Sequence, residues 1–238
     1  MNIQLSLGDM VLTSTMTNSL LVIAFLIVFF IICGITIWRA DPRQPSIGLM
    51  AIIELIYNGV SDFISSNVGE KAWKFVPFIV TVAMYLAIAN LVGLVGLRPP
   101  TTDINITVAL TLVTLTYIML TGIFTKGLWK YLKDTYVGNV PRVMLILFIP
   151  MNIIGELSKI ISLSFRLFGN MMSGALLLSL ISQLLIWLFE LMPLIGWIPI
   201  LTLPFFNAYF DIFAGLMQTF IFCTLVMMWI KSATETAA

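Results

Sequence analysis

From Ser19 to Trp38 the chain runs without a single charged side chain. At ~1.5 Å of rise per helical residue, that stretch is long enough to cross a hydrocarbon core about 30 Å thick. Four more apolar stretches follow, at about 75–97, 104–124, 143–190 and 201–231, and their charges are few. A chain so built cannot be a water-soluble globule. Hydrophobic residues make up 60% of it and charged ones 10%, with a mean hydropathy of +1.07. The expected fold is an all-α polytopic membrane protein in one integral membrane domain spanning 1–238. It has about five membrane helices plus amphipathic interfacial helices, and the last two spans form a long, tilted antiparallel hairpin.

The segments between spans have their own signatures. Residues 1–17 are expected to form an outer N-terminal segment, and span one, 18–38, ends in Trp38-Arg39 and the breaker Asp41-Pro42-Arg43-Gln44-Pro45. Asp9, not a basic cluster, precedes span one, and no small-residue cleavage site ends it, so a retained span is expected and not a signal peptide. Over 46–70, Glu54, Asn58, Asp62 and Ser65 recur every three or four residues opposite Ile52, Ile53, Ile56, Val60 and Ile64. That spacing predicts an amphipathic helix at the membrane surface. Arg98-Pro99-Pro100-Thr101-Thr102-Asp103 reads as a tight turn between spans two and three. Over 126–140, Lys126, Lys130 and Lys133 mix with Trp129, Tyr131 and Tyr136, the composition of a headgroup anchor. Span four, 143–190, is about twice the length a perpendicular crossing needs, so it must tilt, break or lie partly along the membrane.

Basic residues set the orientation. With the N-terminus outside, nine of the Lys and Arg beyond the spans fall on the cytoplasmic side and only Arg98 falls outside. The expectation is N-terminus out and C-terminus cytoplasmic, in a bacterial inner membrane more readily than an organelle's.

Composition excludes several chemistries. There is no histidine, which removes His-based metal sites, His-containing triads and imidazole relays. No metal-ligand cluster, cofactor fingerprint or Gly-x-Ser-x-Gly elbow is present, and catalytic residues are not expected. Cys33 and Cys223 both sit in apolar segments and read as packing residues. A net charge of +1 without a basic stretch gives no footing for nucleic acid.

Arg166 then stands out, in the apolar run Ile160 to Asn170. Its guanidinium cannot shed its charge, and at the middle of a membrane helix it costs about 2.5–3.5 kcal/mol on insertion scales. Span four also holds Asn152, Glu156, Lys159, Ser162, Asn170 and Ser173, and span five holds Asn207, Asp211, Gln218 and Thr219. Lys159, Arg166, Asn170 and Ser173 share one helical face, as do Asp211 and Gln218 on the partner. If Gln218 is level with Arg166, Asp211 lies ~10 Å nearer the outside and Glu156 ~15 Å nearer the cytoplasm. A carboxylate on each side of a fixed cation suits two separate half-pathways for a small cation.

At these residues the chain resembles the membrane-embedded a subunit of F-type ATP synthases. The match rests on Pro150-Met151-Asn152, Ser158-Lys159, Leu163-Ser164-Phe165-Arg166-Leu167-Phe168-Gly169-Asn170 and Gln218-Thr219-Phe220-Ile221-Phe222, with Asn90-Leu91-Val92-Gly93-Leu94 and the turn at Pro100–Thr107 beside them. The resemblance implies a stator packed against a rotating ring of c subunits, with peripheral-stalk b subunits, the lipid bilayer and translocated H+ (alternatively Na+) as its other partners. It makes this chain a non-catalytic, ion-translocating part of an enzyme complex, with no cofactor. Arg166 matches the family's essential arginine, Asn170 its neighbour one turn on and Gln218 the glutamine facing it. Many members pair an acid with a histidine at the positions of Ala175 and Asp211, so here Asp211 stands alone as the outer carboxylate, with Glu190 near the turn as a possible helper. Ser162, Lys159, Asn90 and Asn152 are secondary candidates. The competing reading is a self-contained secondary transporter or channel using Arg166 and Asp211. Such folds show repeated halves with paired broken helices, and the first half of this chain contains no partner to the long hairpin.

Overall fold

A computed structural model of the chain describes residues 6–7, 10–11, 13–39, 49–68, 74–137, 141, 144–191 and 197–234. Ser6–Leu7 (β1) and Met10–Val11 (β2) form a two-rung antiparallel ladder, Ser6 opposite Val11 and Leu7 opposite Met10. Everything else with regular structure is helical: α1 Ser14–Arg39, α2 Leu49–Val68, α3 Val76–Leu91, α4 Ile104–Lys126, α5 Leu128–Leu132, α6 Leu145–Leu191 and α7 Trp197–Thr234. Five of these are long and apolar enough to cross a membrane: Ser14–Trp38, Val76–Val95, Ile104–Lys126, Leu145–Leu188 and Pro204–Thr234. The chain is an all-α polytopic membrane protein.

The helix ends have local causes. Thr13 starts α1, its carbonyl accepting the Thr17 N–H at 3.1 Å, so α1 begins four residues before the 18–38 expected from hydropathy. α3 tightens at Leu91 into a 3-10 turn, Val92–Val95, and Gly96 at φ +78° ends it by closing onto the Gly93 carbonyl at 2.9 Å. A second 3-10 turn, Pro100–Thr102, leads to Asp103. Asp103 caps α4, Oδ1 accepting the Asn105 N–H at 3.0 Å. Gly127 at φ +83° breaks the chain between α4 and α5, and α5 runs on into a π-turn, Lys133–Val137. α7 starts at Trp197 and carries Pro199 in its first turn, where no intrahelical N–H bond is lost. α6, at 47 residues, is about 70 Å long if regular, more than twice the hydrocarbon thickness.

The chain packs as two compact units, each drawing segments from several helices. The first comprises Met1–Ser19, Leu86–Leu112 and Ser158–Ile221. Its core holds Leu86, Ala89, Leu163, Leu167 and Met171, the last three at four-residue spacing down one stripe of α6. Thr15, in the N-terminal segment ahead of span one, and Asn18, at the start of that span, are buried here. Thr15 Oγ1 donates to Asp103 Oδ2 at 2.9 Å, and Asn18 Nδ2 donates to the Arg98 carbonyl at 2.9 Å.

The second unit comprises Leu20–Tyr85, Val113–Leu157 and Phe222–Ala238. Ile64, Val76, Ile79, Phe222, Val226 and Ile230 form its core, and Phe78 stacks on Tyr117 with ring centroids 3.7 Å apart. On α2 the polar stripe Glu54, Asn58, Asp62 and Ser65 is exposed and Ile64 is fully buried; residues 46–48 and 69–70 of the expected surface helix lie outside the described residues. The basic-aromatic segment divides. Trp129, Lys130 and Lys133 are exposed, whereas Tyr131 is 6% exposed and its ring lies on Gly122 of α4, where a Cβ would collide with it. Residues 138–140 of that segment are not among those described.

Candidate functional site

α6 places Arg166 half-buried on a face whose neighbours Ser162, Asn170 and Ser173 are exposed, while Leu163, Leu167 and Met171 on the adjoining face are buried. Among the described residues, Arg166 has no hydrogen bond and no ion pair. Arg166 and Asp211, both described, do not pair.

One turn along α6, Asn170 Nδ2 donates to Gln218 Oε1 of α7. Asn170 and Gln218 lie equally far from the ends of α6 and α7 that the link 192–196 joins. Helices tied together at both places can only run antiparallel, so these parts of α6 and α7 form a hairpin. The bond also sets the register. Gln218 is level with Asn170, about 6 Å along the axis from the Arg166 level assumed from spacing. Gln218 is 1% exposed, and its Nε2 is a buried donor without a hydrogen-bond partner among the described residues.

Asp211, two turns from Gln218, is half-buried and without a hydrogen bond or ion pair among the described residues. Its carboxyl lies against Gly93, with Oδ2 only 2.7 Å from where a Cβ on that residue would stand. One turn further along α7, a Cβ on Gly215 would stand 2.9 Å from the Asn90 Cβ of α3. Asn90 is fully buried and doubly engaged: Nδ2 donates to the Gly215 carbonyl at 3.3 Å, and Oδ1 accepts from Thr101 Oγ1 at 2.8 Å. Thr219 Oγ1 also donates to the Gly215 carbonyl, at 2.9 Å. A cavity of about 460 Å³ opens in this unit between Thr13 and Thr15, Arg98 and Asp103, and Phe168 and Met172 of α6.

The remaining candidates are less closely joined. Ser162 and Ala175 are exposed, and Lys159 is half-buried and engaged in contacts of its own. Glu156 and Asn152 belong to the second unit, where both are half-buried and the Glu156 carboxylate acts on Tyr131. The Glu190 and Asn207 side chains are outside the described residues. Spacing did not single out Gly93, Thr101 or Gly215. The only hint in the sequence was two glycines set beside polar intramembrane residues, Gly93 three after Asn90 and Gly215 four after Asp211.

Among the described residues there is no group of three His, Cys, Asp or Glu that could hold a metal. The architecture and site together define a multi-pass membrane protein that keeps the Arg166 cation, the Asp211 carboxylate and the amides of Asn90, Asn170 and Gln218 inside its spans. The family model described as ATP synthase A chain matches residues 18–231. The "ATP synthase subunit a" of Solidesulfovibrio magneticus is 30% identical over 234 residues, 97% of this chain and 90% of that one. The protein of the same name in Desulfotalea psychrophila is 34% identical over 224 residues, 93% and 85% of the two chains. That of Mycoplasma pneumoniae is 29% identical over 220 residues, 87% and 74%. The chain belongs to the ATP synthase A chain family, as a membrane-sector subunit of an F-type ATP synthase and a multi-pass bacterial membrane protein.

Proposed function

We propose that this chain works as one integral membrane domain, the stator of a rotary motor, and offers an ion two offset half-pathways separated by Arg166. The observation that carries the reading is the arginine itself, half-buried beside an exposed face and without an anion among the described residues of its own chain. A permanent cation so placed needs a counter-charge from another subunit. Carboxylates on a ring of c subunits passing the Ser162–Arg166–Asn170 face supply it.

The physics of the step follows from protonation and solvation. A ring carboxylate in lipid is neutral with its ion bound, because a bare anion there is very costly. Opposite Arg166 the anion is favoured, since a cation within several ångströms stabilises the ionised form. The ion leaves toward one half-pathway, and after the site has passed the arginine another enters from the second. Asp211 takes the ion on the outer side, and Glu156 serves the cytoplasmic side. Asn170 and Gln218 line the passage beside Arg166. Lysine would serve less well than arginine, because burial can strip its proton. The N-terminus lies outside, the C-terminus lies in the cytoplasm, and b subunits hold the chain against the ring. The ion is H+, with Na+ as the variant a different ring carboxylate environment would select.

Arg166→Ala should abolish ion-driven ATP synthesis in membrane vesicles while the chain stays inserted at its usual level. Coupled synthesis retained in that variant would overturn the mechanism.

A further inference from the structure

We propose that Gly93 is a positioning residue that fixes where the Asp211 carboxyl lies, and that the Asn90–Thr101–Gly215 contacts hold α3 and α7 at the separation this requires. The inference rests on the reading of Asp211 as an ion-accepting carboxylate. It adds that what matters is a carboxylate at one point in space, whichever of the two helices supplies it.

Gly93 is not needed for its backbone. Its φ is not positive, unlike those of Gly96 and Gly127, so any L-residue could adopt its conformation. In a helix, glycine is less favourable than alanine. The residue is explained instead by what occupies the space of its missing side chain. A Cβ there would stand 2.7 Å from Asp211 Oδ2, 3.0 Å from Cγ and 3.1 Å from Oδ1. Nothing else comes within 4 Å as closely, and no carbon tolerates an oxygen at the first of these distances. The aspartate has only two side-chain torsions, so it cannot both keep its place and yield to a methyl group.

The second contact, one turn along, shows that the closeness belongs to the helix pair. Asn90 faces Gly215 and Gly93 faces Asp211, at a spacing of three residues on the α3 side and four on the α7 side. These pairs are successive rungs on one side of each helix. At the Asn90 rung the gap is locked: a fully buried amide donates to the Gly215 carbonyl and accepts from Thr101, itself buried. Past Leu91 the chain tightens into the 3-10 turn that carries Gly93. The lock therefore sets the spacing, and the glycine gives the carboxyl its seat.

A swap tests this directly in the intact ATP synthase, by ion-driven ATP synthesis in vesicles with the amount of inserted chain measured alongside. Asp211→Gly should lose activity by about a hundredfold, the lower edge of what a placed proton-transfer group contributes. Gly93→Asp combined with Asp211→Gly should recover most of it, because the new carboxyl starts from the Cβ position that now touches the old one. Gly93→Ala alone, which favours the helix, should lose activity with the chain still inserted. Full activity in Gly93→Ala overturns the inference, as does an inserted double variant no better than Asp211→Gly. If Asp211→Gly itself keeps full activity, Asp211 is not the ion-accepting group and the reading beneath the inference fails first.

Discussion

Removing the two sides of the Asn90–Thr101 bond should have an effect smaller than the sum of the parts. Thr101→Val keeps the shape of the side chain and deletes the hydroxyl that donates to Asn90 Oδ1 at 2.8 Å. Asn90 is fully buried, so its oxygen is left without a partner, at about 1–3 kcal/mol. Asn90→Ala deletes the same bond from the other end, together with the longer one to Gly215 at 3.3 Å. In the double variant the Thr101–Asn90 bond has already been lost once and cannot be lost again. The Gly215 bond disappears in both arms of the cycle and cancels. The coupling that remains should lie in the range measured for hydrogen bonds between membrane helices, about 0.6–1.7 kcal/mol. SDS titration of the detergent-solubilised complex, following release of this chain, reads the four free energies. Additivity within about 0.3 kcal/mol would refute the claim that these side chains form a lock.

Three further outcomes follow from separate parts of the molecule. Asp211→Asn should slow ion entry from the outside more than Ala175→Ser does, since Asp211 can carry a charge and Ala175 is an exposed methyl group; equal rates in a vesicle uptake assay would remove Asp211 from the pathway. Gly122→Val should weaken the docking of α5, because its side chain would run into the Tyr131 ring. The expected cost is the about 1–3 kcal/mol typical of overpacking, read as an earlier thermal release of the chain, and no shift would contradict it. Burial, and after it the charge of Glu156, holds the Tyr131 phenol above its ordinary value of 10.0. The folded state then favours the neutral phenol, so the stability this gives is complete below the unfolded value and is lost as pH rises through the folded one. Tyr131→Phe should flatten the alkaline loss of stability above pH about 10, and an unchanged profile would show that this phenol does not govern it.

How far the sequence could be read depended on whether a feature announces itself along one helix. The spans did, because length and hydropathy are local properties. Arg166, Asp211 and Gln218 did too, since a polar group in an apolar run is costly wherever the helix packs. What depends on two helices meeting was hidden. The register of α6 on α7 comes from one amide pair, Asn170 with Gln218, and spacing alone set it a turn away, at Arg166. Asn90 is an ordinary interior asparagine until Thr101 and Gly215 are seen around it. Gly93 and Gly215 act through atoms they lack, which have meaning only once the facing residue is known. Thr15 lay ahead of the expected span one and Asn18 at its first residue, and nothing along the chain shows that Asp103 and the Arg98 carbonyl bond them in the core. Tyr131 read as a headgroup anchor because its neighbours are lysines and a tryptophan, but the bare backbone at Gly122 gives its ring a place inside.

The most direct test of the central claim is cysteine cross-linking from the Arg166 face. In a Cys33→Ala, Cys223→Ala background, single cysteines replace Ser162, Asn170 or, as the control on the cavity side of α6, Phe168. The rotary reading predicts that Ser162→Cys and Asn170→Cys link to a small, multicopy, carboxylate-bearing membrane subunit and that Phe168→Cys does not. Equal linking from both faces, or no such partner while the isolated chain still transports ions, would contradict it.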